Sequence, residues 1–306
     1  MIDMLSSSLP PSARKMQVCS LALVAVFFLA FTPSFSPLAH AQEAPPPPPL
    51  DHFKCYRASN PNPLLRVLVL LEDQFDVGLE RFDTTRIVKV KFFCNPTTKQ
   101  HGNNAFVQIQ NPDHHLTLYV FKQFFAEKYP PKFEVIVDNQ FGIHTMIVQK
   151  PQYLMVPSKK TKIQGAPTTH GDPTGLDHYK CYSVLEHDFN LGAVVTLGLQ
   201  DEFDTRQMNA VMTTPFLFCN PTRKDHIFAL GQHQVTDIRN QRDHLTCYNL
   251  TQDKVKNGVK NVEVENQFGS AQPLGIGKVE MLCVPSLKMS WGLLPPDDNN
   301  STSEDD

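Results

Sequence analysis

Apolar residues along this chain recur with the period of strands rather than helices. In Arg86 to Phe92, Ile87, Lys89 and Lys91 fall on one face and Val88, Val90 and Phe92 on the other, the two-residue alternation of a half-buried strand. Ala105 to Ile109, Phe133 to Val137 and Met146 to Val148 are short runs of β-branched and aromatic residues closed by turn-forming segments such as Asn111-Pro112 and Asn139-Gln140-Phe141-Gly142. Only Phe121 to Lys128 could wind into a helical turn or two, and no long stretch carries the helical period. Short strands with regular turn signals predict an all-β fold, as an antiparallel β-sandwich or a small barrel.

The pattern occurs twice. Leu50-Asp51-His52-Phe53-Lys54-Cys55-Tyr56 returns as Leu176-Asp177-His178-Tyr179-Lys180-Cys181-Tyr182, and Leu71-Glu72-Asp73-Gln74-Phe75-Asp76 as Leu199-Gln200-Asp201-Glu202-Phe203-Asp204. Phe93-Cys94-Asn95-Pro96-Thr97 returns from Phe218, His115-Leu116-Thr117-Leu118-Tyr119 from His244, Asn139-Gln140-Phe141-Gly142 from Asn266, and Met155-Val156-Pro157-Ser158 from Cys283. A period this long denotes duplicated domains rather than a solenoid of small units. The expected organisation is two tandem domains, 50–160 and 176–292, joined by a Gly-, Pro- and Thr-rich linker at 161–175.

The ends of the chain differ in kind from this body. Residues 1–41 have the layout of a secretory signal: Arg14-Lys15, an apolar run from Val18 to Phe31, and the small-residue pattern Ala39-His40-Ala41. The run is too short, and too soon followed by Pro33 and Pro37, to make a good membrane span. Residues 42–49 form a proline-rich spacer, and 293–306 an acidic tail expected to be disordered. The chain is expected to be secreted, whether to a periplasm, a cell surface or the outside medium, with no stable membrane insertion after cleavage. With 28 basic and 31 acidic residues overall, it has no basic stripe, which argues against nucleic acid as a partner.

An oxidising destination gives the cysteines their meaning. Cys19 leaves with the signal and six remain: Cys55, Cys94, Cys181, Cys219, Cys247 and Cys283. Where the second copy has Cys247 and Cys283, the first has Leu118 and Met155. A bonded pair is gained or lost together, because a lone buried thiol is reactive in such a compartment. The pairing expected is therefore Cys55–Cys94, Cys181–Cys219 and Cys247–Cys283. No C-x₂₋₄-C pair supports a structural zinc site.

Strand geometry also singles out a polar face. His52, Lys54 and Tyr56 lie opposite Cys55, and His115, Thr117 and Tyr119 share one side of their strand. The second copy repeats both sets as His178, Lys180 and Tyr182 and as His244, Thr246 and Tyr248. Such faces suit a polar ligand, a glycan or an envelope protein, or else are sheet faces carrying ordinary cross-strand pairs. Asp51-His52 and Asp177-His178, with His115 and His244, are the candidate metal donors, although no HExxH-like spacing supports them. Asp51 and Asp177 are equally suited to bonding turn amides. Asp73, Asp76, Asp201 and Asp204 could hold calcium or serve as acid and base, but fit Asx-turns better. Ser158 and Ser286 lack G-x-S-x-G context. Asn249-Leu250-Thr251 and Asn300-Ser301-Thr302 are glycosylation sequons.

In the order DHFKCY, FCNP, HLTCY, NQFG and LCVPS, the blocks resemble a repeat domain of unknown function found in exported bacterial proteins. The resemblance covers Leu50 to Lys160 and Leu176 to Lys288, departs at Leu118 and Met155, and implies a bacterial envelope or extracellular setting. It brings no catalytic residues. The chain is therefore expected to be an exported, non-catalytic binding or structural module needing no cofactor and no metal. The alternatives are a metal-assisted hydrolase using the His and Asp residues, and a subunit of a larger envelope assembly.

Overall fold

The computed structural model describes residues 49–61, 67–77, 83–104, 106–124, 131–163, 166–167, 170–186, 195–204, 206–228, 231–253 and 259–295. The signal segment 1–41, the spacer up to Pro48, the acidic tail from Pro296 and the Asn300 sequon lie outside them. In chain order the strands of the first copy are β1 (His52–Ser59), β2 (Leu68–Glu72), β3 (Asp83–His101), β4 (His115–Gln123), β5 (Phe133–Asn139) and β6 (Gly142–Ile163). β7 (Ala166–Pro167) follows, then β8 (His178–Glu186), β9 (Val195–Gln200), β10 (Met208–Ile227), β11 (His233–Thr236), β12 (His244–Gln252), β13 (Asn261–Asn266) and β14 (Gly269–Leu293) of the second copy. One short helix, α1 (Gln74–Val77), follows β2.

Eight of these strands close into a ring. β1 pairs with β3, β3 with β4, β4 with β6, β6 with β8, β8 with β10, β10 with β12, β12 with β14, and β14 with β1, all antiparallel. An eight-stranded ring is just narrow enough for side chains to fill. Its lumen holds alternate residues of every strand, among them Phe53, Leu116, Tyr179, Leu217, Leu245 and Met281 together with all six half-cystines. Each disulfide joins residues directly opposite in register: Cys55–Cys94, Cys181–Cys219 and Cys247–Cys283. Leu118 stands opposite Met155 where the first copy lacks a second bridge, so an apolar pair fills the space of a disulfide.

The antiparallel, all-β, disulfide-bearing class is as expected, but the two copies do not form separable domains at 50–160 and 176–292. β1 of the first copy pairs with β14 of the second, and β8 of the second with β6 of the first. Four long strands cannot close a ring alone, and two such sets joined edge to edge leave no bare edge in it. An outer layer crosses over in the same way. β2 pairs with the end of β10, β9 with the end of β3, β5 with the end of β14, and β13 with the end of β6. Within 161–175, expected as an interdomain linker, residues 161–163 instead extend β6 and Ala166–Pro167 pair back along it as β7.

Two local expectations also change. A register shift between Ile87 and Lys89 reverses the side-chain phase, so that Ile87 and Val90 are buried while Val88 is only partly so; a bulge does this by adding one residue to one strand. The strand expected at 105–109 is a single bridge, Lys99 to Val107, with Phe106 and Val107 exposed. Phe121 to Gln123 end β4 as strand rather than beginning a helix.

Candidate functional site

The repeated motifs meet one another across the two copies. The turn after β2 is built by Asp73, whose Oδ1 accepts the Phe75 N–H at 2.8 Å, and by Asp76, whose Oδ2 accepts the Asp73 N–H at 2.9 Å. This reciprocal capping aims both carboxylates at the second copy. Tyr182 donates to Asp73 at 2.8 Å and Asn220 at 3.3 Å, while Lys180 Nζ reaches both oxygens of Asp76 at 3.0 and 2.9 Å. The second copy returns the contact. Phe203 N–H bonds Asp201 at 2.9 Å, Tyr56 and Asn95 donate to Asp201, and Lys54 pairs with Asp204. Burial, reinforced by the Asp73 charge and opposed by Lys180, pushes Asp76 up to about 7. Burial lifts Asp201 to about 6 against the pull of Lys54.

The Asn-Gln-Phe-Gly turns form a second reciprocal contact. Asn139 Oδ1 accepts the Phe141 N–H at 2.9 Å, and its amide donates to Tyr248 at 2.9 Å and Ser286 at 3.2 Å. Asn266 repeats this with Phe268, Tyr119 at 2.8 Å and Ser158 at 3.0 Å. Gly142 closes its turn at φ 107°, a backbone region that strongly favours glycine. Ser158 donates to Thr117, and Ser286 to Thr246, each at 2.8 Å.

These contacts locate the twelve residues of the expected ligand face. His52, Lys54, Tyr56, His115, Thr117, Tyr119, His178, Lys180, Tyr182, His244, Thr246 and Tyr248 are all buried. They do lie on the face opposite the disulfides, but that face is covered by the outer layer, so it is not an exposed patch. Burial, with Lys99 and Lys288 as the nearest cations respectively, holds His52 down to about 4 and His244 to about 3. His115 and His178 are driven well below the usual imidazole range, chiefly by burial. The metal donors read from the sequence do not converge: Asp51 accepts the amides of Gln110 and Asn111 at 2.8 and 2.7 Å, and Asp177 those of Arg239 and Asn240, both at 2.9 Å.

The symmetry fails at one corner of each copy. In the first, β6 and β7 lead to His170, whose ring stands edge-on to His115 at 4.8 Å between centroids. His170 Nδ1 lies 3.0 Å from Asp113 and Nε2 2.8 Å from Glu202. Lys160 pairs with the same Glu202 oxygen and donates to Asn95 at 3.2 Å. Sequence reasoning passed over His170 because it lies in a linker-like segment; the replacement of Gln74 by Glu202 between the copies was the available signal. At the corner of the second copy Arg242, Lys288 and Trp291, with Gln74 contributed by the first copy, stand where the corner of the first has Asp113, Lys160 and Ile163, with Glu202 contributed by the second. No segment like β7 lies there among the described residues. A cleft of about 650 Å³ remains, lined by Asp73, Gln74, Arg223, Asp237, Gln241 and Trp291. Lys288 Nζ sits over the Phe75 and Trp291 rings at 4.8 and 5.6 Å, and burial lowers it to about 8. Beside the cleft, β14 from Leu287 to Leu293 pairs with β5 on one side and with no described strand on the other. Leu287, Met289, Trp291 and Leu293 are exposed.

An interleaved antiparallel barrel, cross-linked inside and latched outside by its own repeated motifs, defines a disulfide-stapled all-β repeat protein. The chain belongs to a family described as a repeat of unknown function (DUF7450), whose model matches residues 121–285, more than half of the sequence. The match runs from the end of β4 in the first copy to β14 in the second, across the expected domain boundary. No curated protein and no solved structure matches the chain. Among the described residues no helix is long and apolar enough to cross a membrane, and the three disulfides are consistent with an oxidising compartment.

Proposed function

We propose that this chain is an exported, non-catalytic bacterial envelope or extracellular module. It binds an extended protein segment at the open corner of its second copy. The observation that carries this reading is the contrast between corners: the first is occupied by the chain's own returning strand, and the second presents the equivalent strand end beside a cleft with no other strand against it among the described residues. Adding a strand to an exposed edge supplies main-chain hydrogen bonds, with neighbouring pockets selecting side chains. Lys288 donates to Asn220 at 3.0 Å and feels the Asp73 charge, but Gln74 stands where Glu202 pairs with Lys160, so the bound segment is expected to supply an Asp or Glu there. The absorption of the repeated His, Lys, Tyr and Asp residues into internal contacts supports a non-catalytic role.

Trp291 is the only tryptophan and lines the cleft, so its fluorescence reports occupancy. Random peptides displayed against the mature chain should enrich for β-branched stretches bearing one carboxylate, shift Trp291 emission, and lose binding to Lys288→Met. Selected peptides that bind Lys288→Met unchanged would refute the reading. So would glycan binding that survives both Lys288→Met and Trp291→Ala.

A further inference from the structure

We propose that His115, His170 and Glu202 form a binding site for one divalent transition-metal ion of the zinc class, which pins the segment after β7 to the barrel. The site lies at the filled corner, away from the cleft to which partner binding is assigned.

The three side chains each offer one ligand atom, and these atoms all lie within 4.8 Å of one another. Two imidazoles and a carboxylate are a recurrent zinc ligand set that leaves a fourth position for water. His115 carries the strongest indication. It is fully buried, and neither ring nitrogen has a hydrogen-bond partner among the described residues. A buried imidazole with both nitrogens idle is costly, and a coordinate bond from one of them would relieve that cost. His170 is held as metal-bound histidines usually are: one nitrogen is anchored to a carboxylate, Asp113 at 3.0 Å, leaving the other to face the site. The Asp113 carboxylate is also held by the Gly171 backbone N–H.

Bonds of about 2.0–2.1 Å in tetrahedral geometry set ligand atoms roughly 3.4 Å apart. Binding therefore requires the more distant donors to close by about 1 Å and His170 Nε2 to open from its 2.8 Å contact with Glu202. Lys160 competes for that carboxylate, and Asn95 Oδ1 at 3.2 Å is a partner it keeps when the metal takes Glu202. The corner of the second copy is an internal control, because there Gln74 of the first copy and Arg242 replace Glu202 and Asp113, and no counterpart of His170 is placed among the described residues. The expected stoichiometry is one ion per chain.

Isothermal titration of the tag-free mature chain with zinc chloride tests this, with cobalt as a spectroscopic probe of tetrahedral nitrogen and oxygen ligation. Saturation at one equivalent is expected, with a zinc-dependent rise in Tm. His170→Ala and Glu202→Gln should each weaken binding at least tenfold, and Asp113→Asn by about 10- to 100-fold through its hold on His170. His244→Ala should leave affinity unchanged. His170 is partly exposed and outside the ring, so its variant remains interpretable if His115→Ala fails to fold. Absence of saturable binding would overturn the proposal, as would binding unaltered by both His170→Ala and Glu202→Gln.

Discussion

The latch between Lys180 and Asp76 provides the most searching test of the interleaved fold. Lys180→Met removes the cation and leaves Asp73 and Asp76 buried together. Lys180 is 1% exposed and Asp76 8%, with Nζ bonded to both carboxylate oxygens, so solvent screening takes little from the pair. Removing one partner of a buried ion pair costs about 3–5 kcal/mol, roughly a fifth or more of a typical stability on the order of 5–15 kcal/mol. Urea unfolding with disulfides intact, followed by Trp291 fluorescence and circular dichroism, measures it. With a slope on the order of 3 kcal/mol/M, the midpoint should fall by about 1 M or more. Adding Asp76→Asn, which neutralises the orphaned carboxylate yet keeps an acceptor for the Asp73 amide, should restore at least half of the loss. The pH sense is defined as well. The folded pKa of Asp76 is raised to about 7, so its contribution is present below the unfolded value and is lost as pH rises through 7. The Lys180→Met deficit should therefore shrink as pH falls from 8 to 5. A deficit under about 1 kcal/mol at pH 8, or one that grows on acidification, would refute the buried latch.

Replacing Cys247 and Cys283 by Leu and Met, the residues the first copy uses, should cost less than the roughly 4 kcal/mol that a crosslink of this span contributes. Cys55→Ala with Cys94→Ala should cost at least that much, both read by urea midpoints and non-reducing peptide maps. Asn266→Ala should lose about 1–3 kcal/mol, because it removes the amide that donates to Tyr119 and Ser158 and the oxygen that accepts the Phe268 N–H; thermal unfolding reads it. In histidine NMR titrations, His52, His115, His178 and His244 should stay neutral from pH 8 to 5. Their folded pKa values are depressed, so their stabilisation is present above pH 6.5 and lost as pH falls from there towards 4.

Duplication, strand content and disulfide partners were legible in the sequence because each depends on local period or on comparing the copies with each other. The joint loss of two cysteines from one copy identified a bonded pair, and Leu118 opposite Met155 occupies its place in the ring. Side-chain alternation also placed the His-x-x-x-Tyr residues on the face opposite the sulfurs. What covers that face was not legible, because the cover comes from residues more than a hundred positions away in the other copy. His170 was concealed for a related reason, since it gains its sequence-distant neighbours His115 and Glu202 only when the segment after β6 folds back.

By itself the sequence determined that this protein is a doubled, cross-linked β chain, since period, repeats and cysteine pairing are written in neighbouring residues. Only tertiary structure decided that the copies exchange strands, and so which polar residues become latches and which corner receives the returning β7. The physical reason is closure: four long strands leave unpaired edges, and a ring of eight removes them only by drawing on both copies at once.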